Sequence, residues 1–195
     1  NNMRLLIDYF CSNGSGIVVV IGQDGIVARR SEGSWSIVEP GVPATQRIRD
    51  IAYGNGSFVL VGHNYSDSLD PAYNGNVVIK RSSDGLTWSD ASSATGLDSW
   101  KDLRRIHYTG SEFLASGFYA RVLQSNDAGQ TWNSPLNGDN YELEAFSTGN
   151  GIDYGIGINY SNSEAYVDLM TTDGSTWTEL TPSTAEQRNG ITYFN

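Results

Sequence analysis

The sequence predicts an all-β protein made of a repeated unit of four short antiparallel strands. Four tryptophans recur at intervals of 53, 44 and 45 residues, at positions 35, 88, 132 and 177. Between them, short apolar or alternating runs are bounded by Gly, Asn and Ser. This is the pattern of β-hairpins, and no window has sustained helical periodicity. A four-stranded unit of about 45 residues that repeats along a chain is typical of a β-propeller blade.

Two landmarks define the repeat. The first ends in tryptophan and is found at 82–88, 125–132 and 171–177, with a degenerate copy at 30–35. The second is an Ile-x-Tyr strand followed by a Gly-rich turn and an apolar strand, at 51–62 and 106–117. Weaker copies of the second landmark open with Ile7-Asp8-Tyr9 and with Phe146. The pattern predicts one propeller domain, or part of one, with repeats at approximately 1–43, 44–98, 99–138 and 139–184 and the first strand of a fifth at 185–195.

Composition excludes several classes of protein. With 38% hydrophobic and 17% charged residues, the 195-residue chain is too apolar for an intrinsically disordered protein. The longest apolar run, Ile17 to Ile21, is far shorter than the roughly 20 residues of a membrane helix, so we expect no membrane insertion. A net charge of −10 repels phosphate backbones and argues against nucleic acid as a partner. The single cysteine, Cys11, leaves no internal disulfide and no multi-cysteine zinc site, and we expect neither metal nor cofactor.

The tryptophan landmark carries a family resemblance. Its pattern Ser-x-Asp-x-Gly-x-Thr-Trp resembles the Asp-box, or BNR repeat, of sialidase-type propellers. Together with the Ile-x-Tyr-Gly-x-Gly-x-Phe-Val landmark, it is similar to secreted and phage-associated Asp-box propellers and to photosystem II assembly-factor propellers. The resemblance implies a sialidase-like fold whose boxes lie on the rim, away from the central face. With the acidic, lysine-poor composition, it also implies an extracellular location or one on a cell or virion surface.

The acidic turns have a structural explanation that needs no metal. Their glycines supply the positive φ of a tight turn, their aspartates accept main-chain N–H bonds, and their Ser or Thr hydroxyls lock the loop. The tryptophan then buries apolar area between neighbouring blades. The calcium-loop pattern Asp-x-Asp-x-Asp-Gly is absent. We assign this structural role to Ser82, Asp84, Gly85, Trp88, Ser125, Asp127, Gly129, Trp132, Thr171, Asp173, Gly174 and Trp177.

A complete sialidase is not expected. The resemblance to that family would require three arginines that bind a carboxylate, a tyrosine nucleophile with a glutamate partner and an acid/base aspartate. It would also require an Arg-Ile-Pro motif at the start of the propeller, which this sequence lacks, and six blades, whereas the sequence has four repeats and the first strand of a fifth. Five arginines could face the central channel: Arg4, Arg49, Arg104, Arg105 and Arg188. The position three residues before the landmark Ile, or its equivalent, reads Arg4, Ile48, Leu103, Leu143 and Arg188, so no ring of cations repeats there.

Two long insertions predict where a ligand binds. Between the second and third strands, repeat 2 inserts residues 63–76 and repeat 4 inserts 159–166, both rich in Tyr, Asn, Ser and Asp. Aromatic faces and amide or carboxylate groups suit sugars or protein epitopes, and long loops on a compact scaffold are often functional. We therefore expect a recognition propeller, without catalysis, for a glycan or protein ligand. The candidate ligand-binding residues are His63, Tyr65, Asp67, Asp70, Tyr73, Tyr160, Asn162 and the extra tryptophan Trp100.

Two alternatives remain open. A glycoside hydrolase would take a carboxylate pair from connecting loops, with candidates Asp67, Asp70, Asp98, Asp102, Asp139, Glu142 and Glu144. A purely structural or assembly role would need no concave site. Four repeats also leave open how the ring closes, since the end strand Ile191 to Phe194 has the pattern of a first strand. We expect self-association or additional blades to complete the ring, rather than that strand acting as a clasp.

Overall fold

The described residues of the computed structural model form β-strands and no α-helix. They are residues 7–22, 25–42, 46–64, 77–91, 93–94, 103–117, 122–135, 141–160 and 165–180. The strands are β1 (Ile7–Ser12), β2 (Val18–Gly22), β3 (Val27–Ser31), β4 (Ser34–Val38), β5 (Gln46–Gly54), β6 (Ser57–Asn64), β7 (Val77–Ser82), β8 (Ser89–Asp90), β9 (Ser93–Ala94), β10 (Arg105–Tyr108), β11 (Phe113–Ser116), β12 (Leu123–Ser125), β13 (Thr131–Trp132), β14 (Tyr141–Gly149), β15 (Ile152–Asn159), β16 (Ala165–Thr171) and β17 (Thr178–Leu180).

The strands pair in sequence order into four antiparallel blades. Blade 1 is β1–β4, blade 2 is β5–β8 and blade 4 is β14–β17. Blade 3 is β10–β12, and an isolated bridge between Gln124 and Asn133 brings β13 alongside β12 as a short fourth strand. Strand β13 also pairs in parallel with β9, which precedes blade 3 in the chain. The predicted all-β architecture of four-stranded blades is confirmed.

Turn residues fix where the inner hairpins reverse. Asn55 and Gly56 between β5 and β6, and Asn150 and Gly151 between β14 and β15, all have φ between 45° and 75°. Two consecutive residues with positive φ are what a tight hairpin turn requires, and Asn-Gly is the pair that adopts it most readily.

The hydrophobic cores lie between blades. On each blade, one face (the back face) packs against the opposite face (the front face) of the next blade in the chain. Between blades 2 and 3, for example, Val59 and Val61 of β6 pack with Leu103, Ile106 and Trp132. Equivalent clusters fill the seams between blades 1 and 2 and between blades 3 and 4. Burial of these faces supplies the main driving force for blade stacking.

The acidic turns hold these seams at their outer edge. Asp84 Oδ1 accepts the N–H groups of Leu86 and Thr87 at 2.8 and 2.9 Å, and the Ser82 hydroxyl donates to the same oxygen. Asp127 and Asp173 accept equivalent bonds in their own turns. Each turn packs on the preceding blade at its glycine. A Cβ added at Gly85 would collide with the Val19 side chain, and one added at Gly129 would collide with the Val59 side chain. A Cβ at Gly174 would likewise collide with the side chains of Glu112 and Gln124.

Strand pairing corrects the predicted alignment of the first repeat. The sequence pattern equates Ile7 with Ile51, the start of the second repeat's Ile-x-Tyr landmark. In the structure, Ile7 pairs with Gly22 as Ile48 pairs with Gly62, so the residue equivalent to Ile51 is Phe10. The prediction was wrong by three residues, because local similarity does not determine which residues pair across a hairpin.

Each inner strand carries a bulge at the same level. In blades 1, 2 and 4 the pairing register skips one residue, namely Asp8, Arg49 and Glu144. In blade 3 both Arg104 and Arg105 lie opposite Ser116. Glycine faces the bulge because the backbones approach closely there: a Cβ at Gly62 or Gly157 would collide with the carbonyl oxygen of Arg47 or Glu142.

Candidate functional site

The predicted binding loops and the inner-strand bulges share one end of the blades. His63, at the start of the blade 2 insertion, pairs with Arg47, and Asn159, at the start of the blade 4 insertion, pairs with Tyr141. The acidic turns lie at the opposite end, since Ser82 pairs with Phe58 beside the inner hairpin turn. We call the end with the insertions the loop end. The strand ends from which the insertions start therefore lie at the same end of the blades as the charged residues of the bulges.

A buried carboxylate organises the centre of the loop end. Glu142 of β14 is buried, and its Oε1 lies 2.9 Å from the NH1 nitrogen of Arg104, which is partly exposed. Its Oε2 accepts the hydroxyl hydrogen of Tyr160 at 2.6 Å. Charge-assisted bonds of this length are among the stronger ones in proteins. Both carboxylate oxygens are thus engaged, and the guanidinium and phenol groups are held at fixed positions.

Arg105 joins three blades at the same level. Its Nε donates to the Glu144 carbonyl oxygen at 2.8 Å, and its NH2 lies 3.4 Å from the Glu144 carboxylate in blade 4. Its NH1 donates to the Tyr9 hydroxyl of blade 1 at 3.3 Å, and the guanidinium carbon lies 6.0 Å from the centre of the Tyr9 ring. A planar donor fork suits this task because it serves several acceptors at once. The arrangement makes Arg105 a fixed clamp.

Asp50 links blades 2 and 3 just below the clamp. Its Oδ1 accepts the N–H of Ile51 at 2.8 Å and its Oδ2 accepts the N–H of Ile106 at 3.0 Å. Burial raises the pKa of Asp50 to about 6, although both N–H bonds and the Arg105 charge oppose that rise. Burial, with Asp50 as a second cause, also raises the pKa of the Cys11 thiol to about 12. Cys11 is therefore an unreactive thiol at neutral pH.

The opposite end holds a separate polar chain. The Thr148 hydroxyl donates to Asp153 Oδ1 at 2.6 Å, and His107 Nε2 lies 2.8 Å from the Thr148 oxygen. Phe146 stacks on the His107 ring, and burial lowers the pKa of His107. His107 lies on the inner strand β10, within the 106–117 landmark, and its contact with Thr148 joins blade 3 to blade 4. This is a packing contact between blades.

Two predicted ligand-binding residues lie in the described part of the chain. Tyr160 follows β15 at the loop end, and its hydroxyl donates to Glu142. His63 lies within β6 and not on the predicted loop, with 5% of its surface exposed, and Arg49 NH2 is 3.5 Å from its Nε2. His63 is a strand residue and not a loop residue, because β6 extends two residues further than the sequence pattern indicated. The other predicted binding residues lie outside the described residues: Tyr65, Asp67, Asp70, Tyr73, Trp100 and Asn162.

The structure corrects the predicted loop position of two of the seven candidate carboxylates for a hydrolase. Glu142 and Glu144 lie on strand β14 and not on a loop, and each is bonded to an arginine. Five other acidic candidates lie outside the described residues: Asp67, Asp70, Asp98, Asp102 and Asp139. Arg4, Arg188 and the predicted end strand 191–194 also lie outside them.

Tyr9 and Asp50 are central residues that the sequence analysis missed. A signal for the site was present, since the bulge position carries a charge in every blade, as Asp8, Arg49, Arg104 and Glu144. It was hidden by the three-residue misalignment of the first repeat. Within the described ranges, no group of three or more His, Cys, Asp or Glu side chains is placed to hold a metal ion. The same part of the chain has no helix long and apolar enough to span a membrane.

Solved structures identify the architecture. YCF48 bound to a D1 peptide superposes with a TM-score of 0.64 over 95% of this chain, at 13% identity. The chain has the fold of a β-propeller. YCF48 from Cyanidioschyzon merolae gives the same TM-score over 97% of the chain at 13% identity. An ancestral GH74 enzyme gives 0.60 over 88% of the chain and 25% of its own, at 14% identity.

The propeller comparisons are structural only. The chain spans 57% and 61% of the length of the two YCF48 structures. No family model matches the sequence, and no curated protein is similar to it in sequence. The neighbours include both a protein bound to a peptide and an enzyme, so the fold by itself does not distinguish these two functions.

Proposed function

We propose that this chain is the ligand-recognition part of a propeller, binding an extended polypeptide at the loop end without catalysis. The observation that carries the proposal is the Arg104–Glu142–Tyr160 group, in which a buried carboxylate fixes a partly exposed guanidinium and a phenol. Arginine and tyrosine are enriched among residues that dominate binding energy at protein interfaces. A prearranged pair loses little conformational entropy when a ligand binds.

The same geometry argues against hydrolysis by Glu142 and Glu144 as a carboxylate pair. A glycosidase of the carboxylate-pair type needs one carboxyl group that gives a proton and a second that attacks or activates water. Both oxygens of Glu142 are bonded to Arg104 and Tyr160, and the Glu144 carboxylate is paired with Arg105. Glu142 therefore has no oxygen left for proton transfer to a substrate, so these two carboxylates do not form a glycosidase pair.

A polypeptide fits this chemistry better than a glycan. The described centre offers fixed charges of both signs, which complement peptide side chains and main-chain groups. The Arg105 guanidinium already lies over the Tyr9 ring, and the Tyr160 hydroxyl is bonded to Glu142. The YCF48 structure with a D1 peptide supports a propeller in this role. The proposal includes the identity of the tryptophan landmarks as Asp-boxes and a location outside the cell or on a cell or virion surface.

Peptide selection tests the proposal directly. We would pan a displayed random peptide library against the wild-type chain and measure the enriched peptides by calorimetry on three chains: wild type, Arg104→Gln and Tyr160→Phe. Loss of a hot-spot contact is expected to weaken binding about 30-fold. Arg30→Gln is the matched control, because Arg30 is exposed on blade 1 and lies at the acidic-turn end.

The competing functions have separate outcomes. If enriched peptides bind Arg104→Gln as tightly as wild type, recognition does not use this group and the proposal fails. Hits on a glycan array that depend on Arg104, with no peptide enriched, would replace the peptide by a sugar. Release of reducing ends from a polysaccharide panel, lost in Glu142→Gln, would establish a glycoside hydrolase.

A further inference from the structure

A second surface lies on the face of blade 1 that none of the other described blades covers. Six large hydrophobic side chains of the described residues are exposed, and one of them, Leu86, belongs to the blade 2 turn. The other five lie on blade 1: Ile7, Phe10, Ile26, Trp35 and Ile37. Phe10 pairs with Val20, Val20 with Ala28 and Ala28 with Ile37, which places these residues on one face of the sheet. We call it the blade 1 front face.

The other blades show what such a face does. Ile7 is 50% exposed, whereas its equivalent Ile48 is 7% exposed and lies in the seam against blade 1. Trp35 is 52% exposed, whereas Trp132 at the same place in blade 3 is 2% exposed. Every described front face except that of blade 1 is covered by the back face of the blade before it. The blade 1 front face is therefore a packing surface with apolar side chains in water.

The exposed area is also wider than a seam between blades requires. Ile37 lies on the outer strand β4, in the row that begins with Phe10. The residues at this place in blades 2 and 4 are Asp90 and Glu179, both exposed. Blade 1 thus extends its apolar surface to a position where its sister blades keep a carboxylate in water. Apolar patches of this kind mark interaction sites.

The free back face of blade 4 is a poor cover for this surface. Three back faces place an aliphatic side chain at one seam position: Val27, Ile79 and Val122. Blade 4 has Asp168 there. At a second seam position Arg29 donates to the Asp84 carbonyl oxygen of the next turn, and blade 4 has Met170 in its place. A head-to-tail contact would place Asp168 where the three other seams have an aliphatic side chain, so the two faces do not match as the other seams do.

We propose that two copies of this chain pack through their blade 1 front faces around a two-fold axis. The same apolar face on a second copy matches the surface without placing Asp168 against it, and self-complementary contacts are the common form of homodimer. Five large side chains exposed to this extent amount to on the order of 500 Å² per copy, or about 1,000 Å² for the pair. The interface is then at the small end of specific contacts, so the dimer is reversible.

Sedimentation velocity over about 1 µM to 1 mM tests the dimer. The wild type is expected to shift from 21.2 kDa towards twice that mass and to stop there. Phe10→Ser and Trp35→Ser each raise the dissociation constant at least about 10-fold. Both residues are largely exposed, so both variants fold, which thermal unfolding verifies. Leu86→Ser, which removes the exposed leucine of blade 2, leaves the constant unchanged.

Three results would overturn the proposal. One is a monomer at every concentration, which would mean that the face stays in water or awaits a different partner. Another is a dimer that neither substitution on blade 1 weakens. The third is a series of species that grows beyond the dimer, because a head-to-tail contact propagates unless its rotation closes a ring.

Discussion

Replacement of Asp50 by asparagine should remove a dependence of stability on pH that is opposite to that of most carboxylates. Burial raises the pKa of Asp50 from 3.8 to about 6 in the folded chain. Between these pH values the folded protein holds a proton that the unfolded protein has lost. The free energy of unfolding that Asp50 contributes is therefore largest below pH 3.8 and falls as the pH rises through 6.

The size of the effect follows from the difference between the two pKa values. A difference of about two pH units, at 1.36 kcal/mol for each, gives about 3 kcal/mol as an upper bound. Asparagine does not titrate, and it keeps one oxygen to accept the N–H of either Ile51 or Ile106. All other carboxylates are common to both proteins and cancel in the comparison.

Urea denaturation of wild type and Asp50→Asn from pH 4 to pH 7 measures this difference. The stability of the wild type relative to the variant should fall by about 2–3 kcal/mol over that range. Asp8→Asn, which changes an exposed carboxylate on the blade 1 bulge, is the control and should show no such trend. A relative stability that rises with pH would refute the reasoning, because the two N–H bonds and Arg105 would then outweigh burial.

Three further changes test the turns and seams. Gly157→Ala places a methyl group against the Glu142 carbonyl oxygen and should lower the free energy of unfolding by about 1–3 kcal/mol in urea titrations. Asp84→Ala should cost about 1–2 kcal/mol at pH 7, since the side chain accepts two main-chain N–H bonds. The Thr87 and Leu86 N–H groups lower the pKa of Asp84, so this loss should shrink as pH falls below 3.8, and a pH-independent loss would contradict it. Cys11, whose pKa is raised by burial and by Asp50, should react with iodoacetamide at pH 8 at least about 100-fold faster in urea than in buffer; equal rates would show an exposed thiol.

The fold class followed from the sequence because its signals are local. The turn around Asp84 is specified by residues within five positions of one another, and the same chemistry recurs at Asp127 and Asp173. Asn-Gly at 55–56 and 150–151 fixes two inner hairpins in the same way. Turn chemistry of this kind involves residues that are close in sequence, so it can be predicted from one sequence without knowledge of the tertiary contacts.

The candidate site depends on contacts that no local pattern contains. Arg105 reaches Tyr9 across 96 residues of chain, and Ile106 donates to Asp50 across 56. Which residues meet there depends on blade stacking and on a bulge that shifts the inner strand by one residue. The insertion that follows β6 was recognised from its composition, and the role of Tyr65, Asp67 and Tyr73 within it stays a prediction.

The bulge on each inner strand separates the framework of the molecule from its chemistry. The bulged residue takes no part in a hydrophobic seam, and the same backbone carries Asp8, Arg49 and Glu144 in different blades. Duplicating a blade therefore copies a rigid frame together with one position that tolerates either sign of charge. Chains built this way can exchange one central charge at a time and acquire new ligands, while the packing that folds them stays the same.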